Sequence, residues 1–512
     1  MLFNSIDFLV FFLPLSLLGF FSLAHKLGRR AACLWLVGVS LVFCAWWRID
    51  NLYFLLASIA ANWIFVLALR AARKDASPLG LWVLVIAVCT NVAALVFFKY
   101  ANFVVALLES TYDSSFVFEH ILLPLGISFY TFQNIALLAD VYGGEADDLS
   151  FMDYCLFIAF FPKLIAGPII HHSDLTPQFA KEETYSFNAV SAASGLTLLI
   201  VGLFKKVVIA DGLLLPWTVP FFSQVHAGVT LGLIDAWAGG ILFSLQLYFD
   251  FSAYSEMAVG IGLMFGVIMP FNFVSPFKAT SAVDFWQRWH KTLTDFLTDY
   301  VFTPLTVFIG RRRMAQGKSL VRKDRASAGA FLWMIVVPVM VTMTLAGMWH
   351  GAGLQFVAYG VLLGIYLVIN RAFRILCSRL RIRTLPAWGK PAAILLTFLS
   401  VVVALTVLRS PDIESALSLF QSQLGLNGIG EIAVLGNWVT VSTAGVLLAW
   451  CWMAPNAQEW IGLVDDTTNR LAARAPWLAW RSNIGWGVVM SSLALYSMSR
   501  LSDPTAFIYF NF

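Results

Sequence analysis

An all-α, multi-pass membrane fold is predicted by three features of this 512-residue chain: 12% charged residues, 60% hydrophobic residues, and the gathering of the latter into long runs. A soluble chain of this length carries roughly 25% charged residues and divides into several domains. Here the apolar surface, enriched in aromatics to 15% and mostly Phe, exceeds what one water-facing globule could hide. A bilayer is the natural solvent.

A spanning helix needs about 20 mostly apolar residues. Candidate spans lie at 6–24, 31–47, 52–69, 79–98, 151–170, 190–209, 230–249, 253–270, 328–347, 354–370, 391–409, 437–454 and 485–499. About 11 to 13 crossings are expected, with re-entrant and amphipathic interfacial helices beside them. Ile121 to Ala139, with Pro124 and Gly126, is a re-entrant candidate, because broken backbone survives at membrane depth only where protein or a water-filled cavity covers it. Met1 to Ala24 has Asp7 near its start, no basic n-region and no small-residue cleavage site, so it is expected to stay as the first span.

Lys and Arg are retained on the cytoplasmic side. His25 to Arg30 and Arg70 to Lys74 flank alternate spans, which puts both inside and the N-terminus outside. The strongest cytoplasmic markers are Arg311 to Arg325, with seven Lys or Arg, and Arg371 to Arg383, with five Arg. Between them, 328–370 reads as a helical hairpin whose turn is Trp349-His350-Gly351-Ala352-Gly353. That places His350 deep in the membrane or toward its outer side. With no strong internal repeat or low-complexity linker, 1–512 reads as a single membrane-embedded domain, with connecting loops at Gln421 to Ile432 and Ala454 to Arg481. The net charge of +4 sits in short clusters without interleaved aromatics, which argues against a nucleic-acid partner. Six cysteines, at 33, 44, 89, 155, 377 and 451, lack CxxC or metal-ligand spacing and read as small hydrophobes; no metal is expected.

Residues 281–301 read as one amphipathic helix opened by Ser281, with Asp284 three residues on in a near capping box. At 3.6 residues per turn Asp284, Arg288, Lys291, Asp295 and Asp299 share an arc of roughly 80°, the wet face. Phe285, Trp286, Trp289, Leu293, Phe296, Leu297, Tyr300 and Val301 fill the other side together with His290, which therefore faces protein or lipid. An interfacial helix with a core histidine accounts for this pattern, and a functional role for His290 needs a partner. His350 between two apolar helices is costly to charge and so stays neutral, as a general base requires. Gly351 and Gly353 permit close backbone approach or positive φ. A histidine that merely bonds a carbonyl at a helix end, with Trp349 anchoring the turn, fits the same residues.

Lys99, Asp140, Lys163, Lys205, Lys206, Asp211, Asp250 and Glu256 also fall in or beside apolar runs. Such groups pair or line cavities. Asp250 and Glu256 stand out in Tyr248-Phe249-Asp250-Phe251-Ser252-Ala253-Tyr254-Ser255-Glu256-Met257, either as support for an acceptor pocket or as a satisfied network.

In order along the chain come Ala45-Trp46-Trp47-Arg48, Phe98-Lys99-Tyr100-Ala101-Asn102-Phe103, Leu123-Pro124-Leu125-Gly126-Ile127-Ser128-Phe129-Tyr130-Thr131-Phe132-Gln133 and Asp140-Val141-Tyr142. Phe161-Pro162-Lys163-Leu164-Ile165-Ala166-Gly167-Pro168, Leu247-Tyr248-Phe249-Asp250-Phe251-Ser252 and Asp284-Phe285-Trp286-Gln287-Arg288-Trp289-His290 follow, then Met348-Trp349-His350-Gly351-Ala352-Gly353 and Phe507-Ile508-Tyr509-Phe510. This ordered set resembles the membrane-bound O-acyltransferase family, in the bacterial branch that includes the alginate O-acetylation membrane protein, almost end to end. Two departures stand out. Ala253 and Glu256 replace the usual Gly and Asp of the Asp-Phe-Ser-Gly-Tyr-Ser segment. After Thr303-Pro304-Leu305, the usual Gly-Gly-x-Arg turn is replaced by Thr306-Val307-Phe308-Ile309-Gly310-Arg311, in a loop near the expected donor entrance.

The resemblance implies the family's fold and makes His350 and His290 the catalytic histidines, with Trp349, Trp289, Trp286, Arg288 and Asp250 as binding or supporting residues. In the implied chemistry a hydroxyl attacks a thioester carbonyl and His350 removes its proton. His290 orients the acceptor or stabilises the oxyanion, with the Trp289 or Trp349 indole assisting. No cofactor is bound in this reading; the donor is acetyl-CoA or an acyl-carrier thioester in the cytoplasm. The acyl group, acetyl or D-alanyl, passes through the bacterial inner membrane to a cell-surface or secreted polysaccharide, by way of a periplasmic SGNH/esterase-like acetyltransferase. The rival is a transporter or flippase without chemistry, which predicts inverted repeats and broken helices at the midplane. A structural subunit of an export complex is a third reading.

Overall fold

The computed structural model describes residues 1–74, 78–112, 121–321, 326–382, 389–430, 438–463, 479–501 and 507–508. Among the described residues every regular element is helical. In chain order these are α1 (Leu13–Leu27, entered through a π-helical turn at Asp7–Phe12), α2 (Arg29–Ala45), α3 (Ile49–Lys74), α4 (Leu79–Tyr112), α5 (Ile127–Gly143), α6 (Phe151–Ala159), α7 (Phe161–Leu164), α8 (His172–Ala180) and α9 (Ala189–Phe204). There follow α10 (Leu215–His226), α11 (Leu233–Met264), α12 (Ala282–Trp286), α13 (Lys291–Leu297), α14 (Thr303–Ala315), α15 (Ala328–Phe331), α16 (Val337–His350) and α17 (Leu354–Arg379). The last are α18 (Gly389–Arg409), α19 (Ile413–Gln423), α20 (Trp438–Met453), α21 (Ala457–Trp460) and α22 (Ile484–Ser499).

Six helical stretches among the described residues are long and apolar enough to cross a membrane: Asp7–Leu27, Ile49–Lys74, Leu79–Tyr112, Ala328–His350, Leu354–Arg379 and Gly389–Arg409. On α4, Leu81, Trp82, Val85, Ile86 and Val96 are all exposed, a surface that lipid but not water tolerates. The chain is a polytopic, all-α membrane protein.

Local chemistry moves several expected boundaries. The candidates 230–249 and 253–270 join in one helix, α11, which ends at Met264; Asp250 between them is buried and accepts the Ile508 N–H at 2.8 Å instead of breaking the run. The candidate 151–170 instead divides at Phe160 (φ −47°, ψ 106°) into α6 and α7. Pro162 has no N–H to give to a continuing helix, and its ring would clash with a carbonyl one turn back. Ile127–Gly143 is helical after Gly126, whose φ of 73° turns the chain, and a Cβ there would meet the Leu164 carbonyl at 2.4 Å. The basic clusters begin inside helices: Arg312 and Arg313 lie in the last turn of α14 and Arg379 in the last turn of α17, where positive charge complements the helix dipole. Residues 322–325 and 383 of those clusters lie outside the described residues, as do 431–432, 464–478 and the Tyr509-Phe510 end of the closing motif. The segment after Leu305 is also helical, since without a Gly-Gly pair α14 runs through to Ala315.

The described residues fall into two compact units, one drawn from 1–207, 252–271 and 457–507, the other from 208–251, 272–456 and Ile508. In the first, α1 packs on α2, α3 to α5 pack together, and α9 packs on α22. Phe3, Phe8, Phe43 and Phe161 form a buried aromatic core. The ionisable groups that the sequence placed in or beside its apolar runs find polar partners here, as groups withdrawn from water must. Lys205 Nζ lies 2.7 Å from Glu256 and donates to Ser252 Oγ at 3.2 Å, His172 Nδ1 lies 3.1 Å from Asp140, and Lys163 Nζ donates to Gln133 Oε1 at 2.5 Å.

In the second unit α16 packs along α17, which also receives α12 and α18, and α18 packs on α19. The α16–α17 pair is the expected hairpin, turning at 351–353.

Candidate active site

The single helix expected over 281–301 is broken. Ser281 caps α12 by accepting the Asp284 N–H at 3.2 Å, but the helix ends at Trp286 and α13 begins only at Lys291. His290, at the junction, adopts φ 43° and ψ 50°, a left-handed conformation that costs a non-glycine residue about 1–2 kcal/mol. The segment 272–274 offsets that cost: Lys291 N–H donates to the Asn272 carbonyl and Val274 N–H to the Arg288 carbonyl, each at 2.9 Å. The capping box is real in part, since the Asp284 carboxylate accepts from Thr280 N at 2.9 Å and from Arg288 Nε at 2.6 Å. Burial works to raise the Asp284 pKa, but these hydrogen bonds and the Arg288 charge outweigh it, and the net shift is downward. Its stabilisation is therefore present above the usual carboxylate pKa and is lost as the pH falls through the lowered one. Replacing Ser281 with Ala should cost about 1 kcal/mol, read as a lower unfolding temperature of the solubilised protein. An unchanged midpoint would deny the cap its role.

His290 and His350 converge within the second unit. Both are buried, 1% and 4% exposed. His350 is the last residue of α16, and its ring stands edge-on to Tyr359 of α17 at 5.4 Å between centroids. The Trp349 indole joins the two imidazoles, 5.0 Å from His350 and 5.8 Å from His290. Phe251, the neighbour of Asp250, meets the His290 ring edge-on at 4.8 Å. Gly351 is extended (φ −173°), so it needs no left-handed freedom; it needs space, because a Cβ there would lie 2.2 Å from the Phe356 ring.

The break also fixes the chemistry of His290. Its Nδ1 lies 3.0 Å from Asn272 Oδ1, which also accepts from Thr292 Oγ1 at 2.9 Å and Thr292 N–H at 3.3 Å. His290 Nε2 is buried with no hydrogen-bond partner among the described residues. His290 lies outside the six spans, and burial pushes its pKa down to about 3, so the ring is neutral at physiological pH.

The remaining residues singled out from the sequence divide. Trp289 packs beside this cluster, on Phe273 at 5.1 Å and stacked on Phe285 at 5.5 Å. Trp286 is buried against Phe285. Arg288 is engaged by Asp284 and by the Val274 carbonyl at 3.3 Å, and Asp250 holds Ile508 N–H. The wet face survives as two ion pairs, Asp284 with Arg288 and Lys291 with Asp295. Asn272, Phe251 and Tyr359 join the site without having been singled out by sequence. The signal for Asn272 was a lone amide in the run Pro270-Phe271-Asn272-Phe273; nothing local marked the other two.

Comparison with known proteins decides the family. The chain is 37% identical to a peptidoglycan O-acetyltransferase of Helicobacter pylori over 84% of its length and 81% of the relative's. The chain belongs to the membrane-bound O-acyltransferase family. The family model matches residues 67–320, a stretch that holds Asn272 and His290, while His350 follows it. A probable alginate O-acetylase of Pseudomonas aeruginosa is 33% identical over 93% of the chain and 84% of its own. A teichoic acid D-alanyltransferase of Bacillus subtilis is 26% identical over 54% of the chain and 65% of its own length. As a membrane-bound O-acyltransferase the protein is an enzyme, not a transporter, and its two buried histidines are candidates for the transfer step.

Proposed function

We propose that this O-acyltransferase moves an acetyl group from a cytoplasmic thioester, acetyl-CoA or an acyl carrier, through the bacterial inner membrane for O-acetylation of a cell-surface or secreted polysaccharide. A periplasmic SGNH/esterase-like acetyltransferase is the partner that receives it. One observation carries the reading: two buried imidazoles meet across the Trp349 indole, and one of them offers an unshared nitrogen. The names of the relatives similar over most of the chain, both O-acetylating enzymes, favour acetyl; the D-alanyl relatives match about half of it.

In this mechanism the acceptor oxygen attacks the thioester carbonyl carbon as His350 takes the hydroxyl proton. The C–S bond then breaks and the departing thiolate recovers the proton from His350. His290 Nε2 accepts a hydrogen bond from a second donor group of the acceptor molecule and so aims the reacting hydroxyl, whose single hydrogen goes to His350. Of the two roles expected for His290, orientation fits and oxyanion stabilisation does not, because a neutral ring with hydrogen on Nδ1 has no donor at Nε2. Trp349, Tyr359 and Phe251 pack around the two rings and keep the thioester away from bulk water.

The test measures ester-linked acetate and D-alanine released by mild alkali from envelope and secreted polysaccharide, in a deletion strain and in the same strain carrying the gene. Acetate restored by the gene is the expected result. D-alanine restored in its place, or no ester change at all, overturns the acetyl assignment.

A further inference from the structure

The hydrogen bonds around Asn272 carry more than packing. Thr292 N–H is a backbone group that only donates, so the side-chain atom facing it must be the amide oxygen; the reverse orientation would set Asn272 Nδ2 against it, donor against donor. Thr292 Oγ1 turns its hydrogen to the same oxygen. An oxygen so placed has nothing to give, and His290 Nδ1 at 3.0 Å must therefore carry the hydrogen. In a neutral imidazole the lone pair is then on Nε2. The opposite tautomer would bring the Nδ1 lone pair against Oδ1, in a pocket where Asn272 is fully buried and water cannot intervene.

The backbone enforces the same arrangement. Asn272 and His290 are 18 residues apart in sequence, yet the Asn272 carbonyl is tied to Lys291 N–H and the Asn272 side chain to Thr292 N–H, the two residues after the histidine. The left-handed turn at His290 makes this possible, since a continued helix would have directed those N–H groups to carbonyls within its own turns. The broken helix and the oriented amide thus act on one atom, His290 Nε2.

We infer that Asn272 is the positioning residue that holds His290 in its Nδ1–H tautomer, so that Nε2 faces the acceptor molecule as a hydrogen-bond acceptor. The inference rests on the reading of His290 proposed above and adds a residue whose role is separable from it. Asn272 does not touch substrate in this scheme; it acts only through the ring.

The experiment uses the full chain, purified into nanodiscs with 15N-labelled histidine, and the polysaccharide acetate assay on the same variants. The His290 signal is the one missing from His290→Gln. At neutral pH it is expected to show a protonated Nδ1 and a bare Nε2. Asn272→Asp keeps an acceptor oxygen and should retain both the signal and most of the acetate. Asn272→Leu should lose the Nδ1–H signature and about tenfold or more of the acetate at unchanged protein level. A wild-type ring protonated on Nε2 overturns the inference whether or not Asn272→Leu folds, and so does a folded Asn272→Leu that keeps the Nδ1–H pattern. If His290→Gln makes acetate at the wild-type level, the reading of His290 fails and takes the inference with it. If His290→Gln is inactive while Asn272→Leu changes tautomer and stays fully active, the inference alone fails.

Discussion

Replacing His350 with alanine is expected to lower acyl transfer by about 10²- to 10⁴-fold, the contribution of a positioned general base, while the protein remains in the membrane. His350 ends α16 with the following Gly351 already extended, and alanine is a better helix former than histidine, so the helix terminus survives the change. What disappears is the imidazole against Trp349 and Tyr359. His290 cannot take over, because the Trp349 indole stands in contact with both rings and the His290 main chain is fixed by the clasp at 272–274. The measurement is ester-linked acetate on the polysaccharide beside the amount of protein in the membrane fraction. Acetate at the wild-type level with normal protein would remove His350 from the mechanism.

The long-range pattern of this fold was legible because the bilayer imposes it. Runs such as 79–98 and 391–409 have no alternative to helix in lipid, and the hairpin 328–370 appears with its turn where the glycines stand. His350 was found from the same logic, a polar residue at an apolar turn. The segment 281–301 departs from its periodicity for an instructive reason. That periodicity correctly separates Asp284, Arg288, Lys291 and Asp295 from Trp286, Trp289 and His290, but a face pattern cannot reveal a break stabilised by another segment. The bonds from Val274 and Asn272 come from residues 272–274, and hydropathy assigns that stretch no role. The merging of 230–249 with 253–270 has the same origin, since Asp250 looks like an interruption until Ile508, 258 positions away, donates to it. Asn272 itself could be suspected but not interpreted: a lone amide in an apolar run demands partners, and nothing in the sequence says which.

Gly347→Leu should be among the most damaging single substitutions, because it strikes the contact that sets His350 in place. A Cβ on Gly347 would lie 2.3 Å from the Phe356 carbonyl oxygen and 2.7 Å from Gly360 Cα, and one on Gly360 would lie 2.4 Å from the Met343 carbonyl. These obstacles are backbone atoms, which cannot rotate aside, so α16 and α17 must separate to admit even a methyl group. Close approach of this kind is how membrane helices gain packing energy in the absence of a hydrophobic drive. Overpacking costs about 1–3 kcal/mol where side chains yield, and against backbone the upper end, about 3 kcal/mol, is the expected loss. His350 lies three residues beyond Gly347, nearly one turn of the same helix, so a displaced hairpin carries its shift directly to the Trp349 and Tyr359 contacts. Thermal unfolding of the solubilised protein should therefore shift down together with acetate transfer, and Gly347→Ala should fall between Leu and wild type. Gly445→Ala, where a Cβ meets nothing within 4 Å, should leave both unchanged and serves as the control. A Gly347→Leu protein with wild-type unfolding and full activity would mean that α16 and α17 do not meet at Gly347 and Gly360, and the placement of His350 against Tyr359 would fall with that contact.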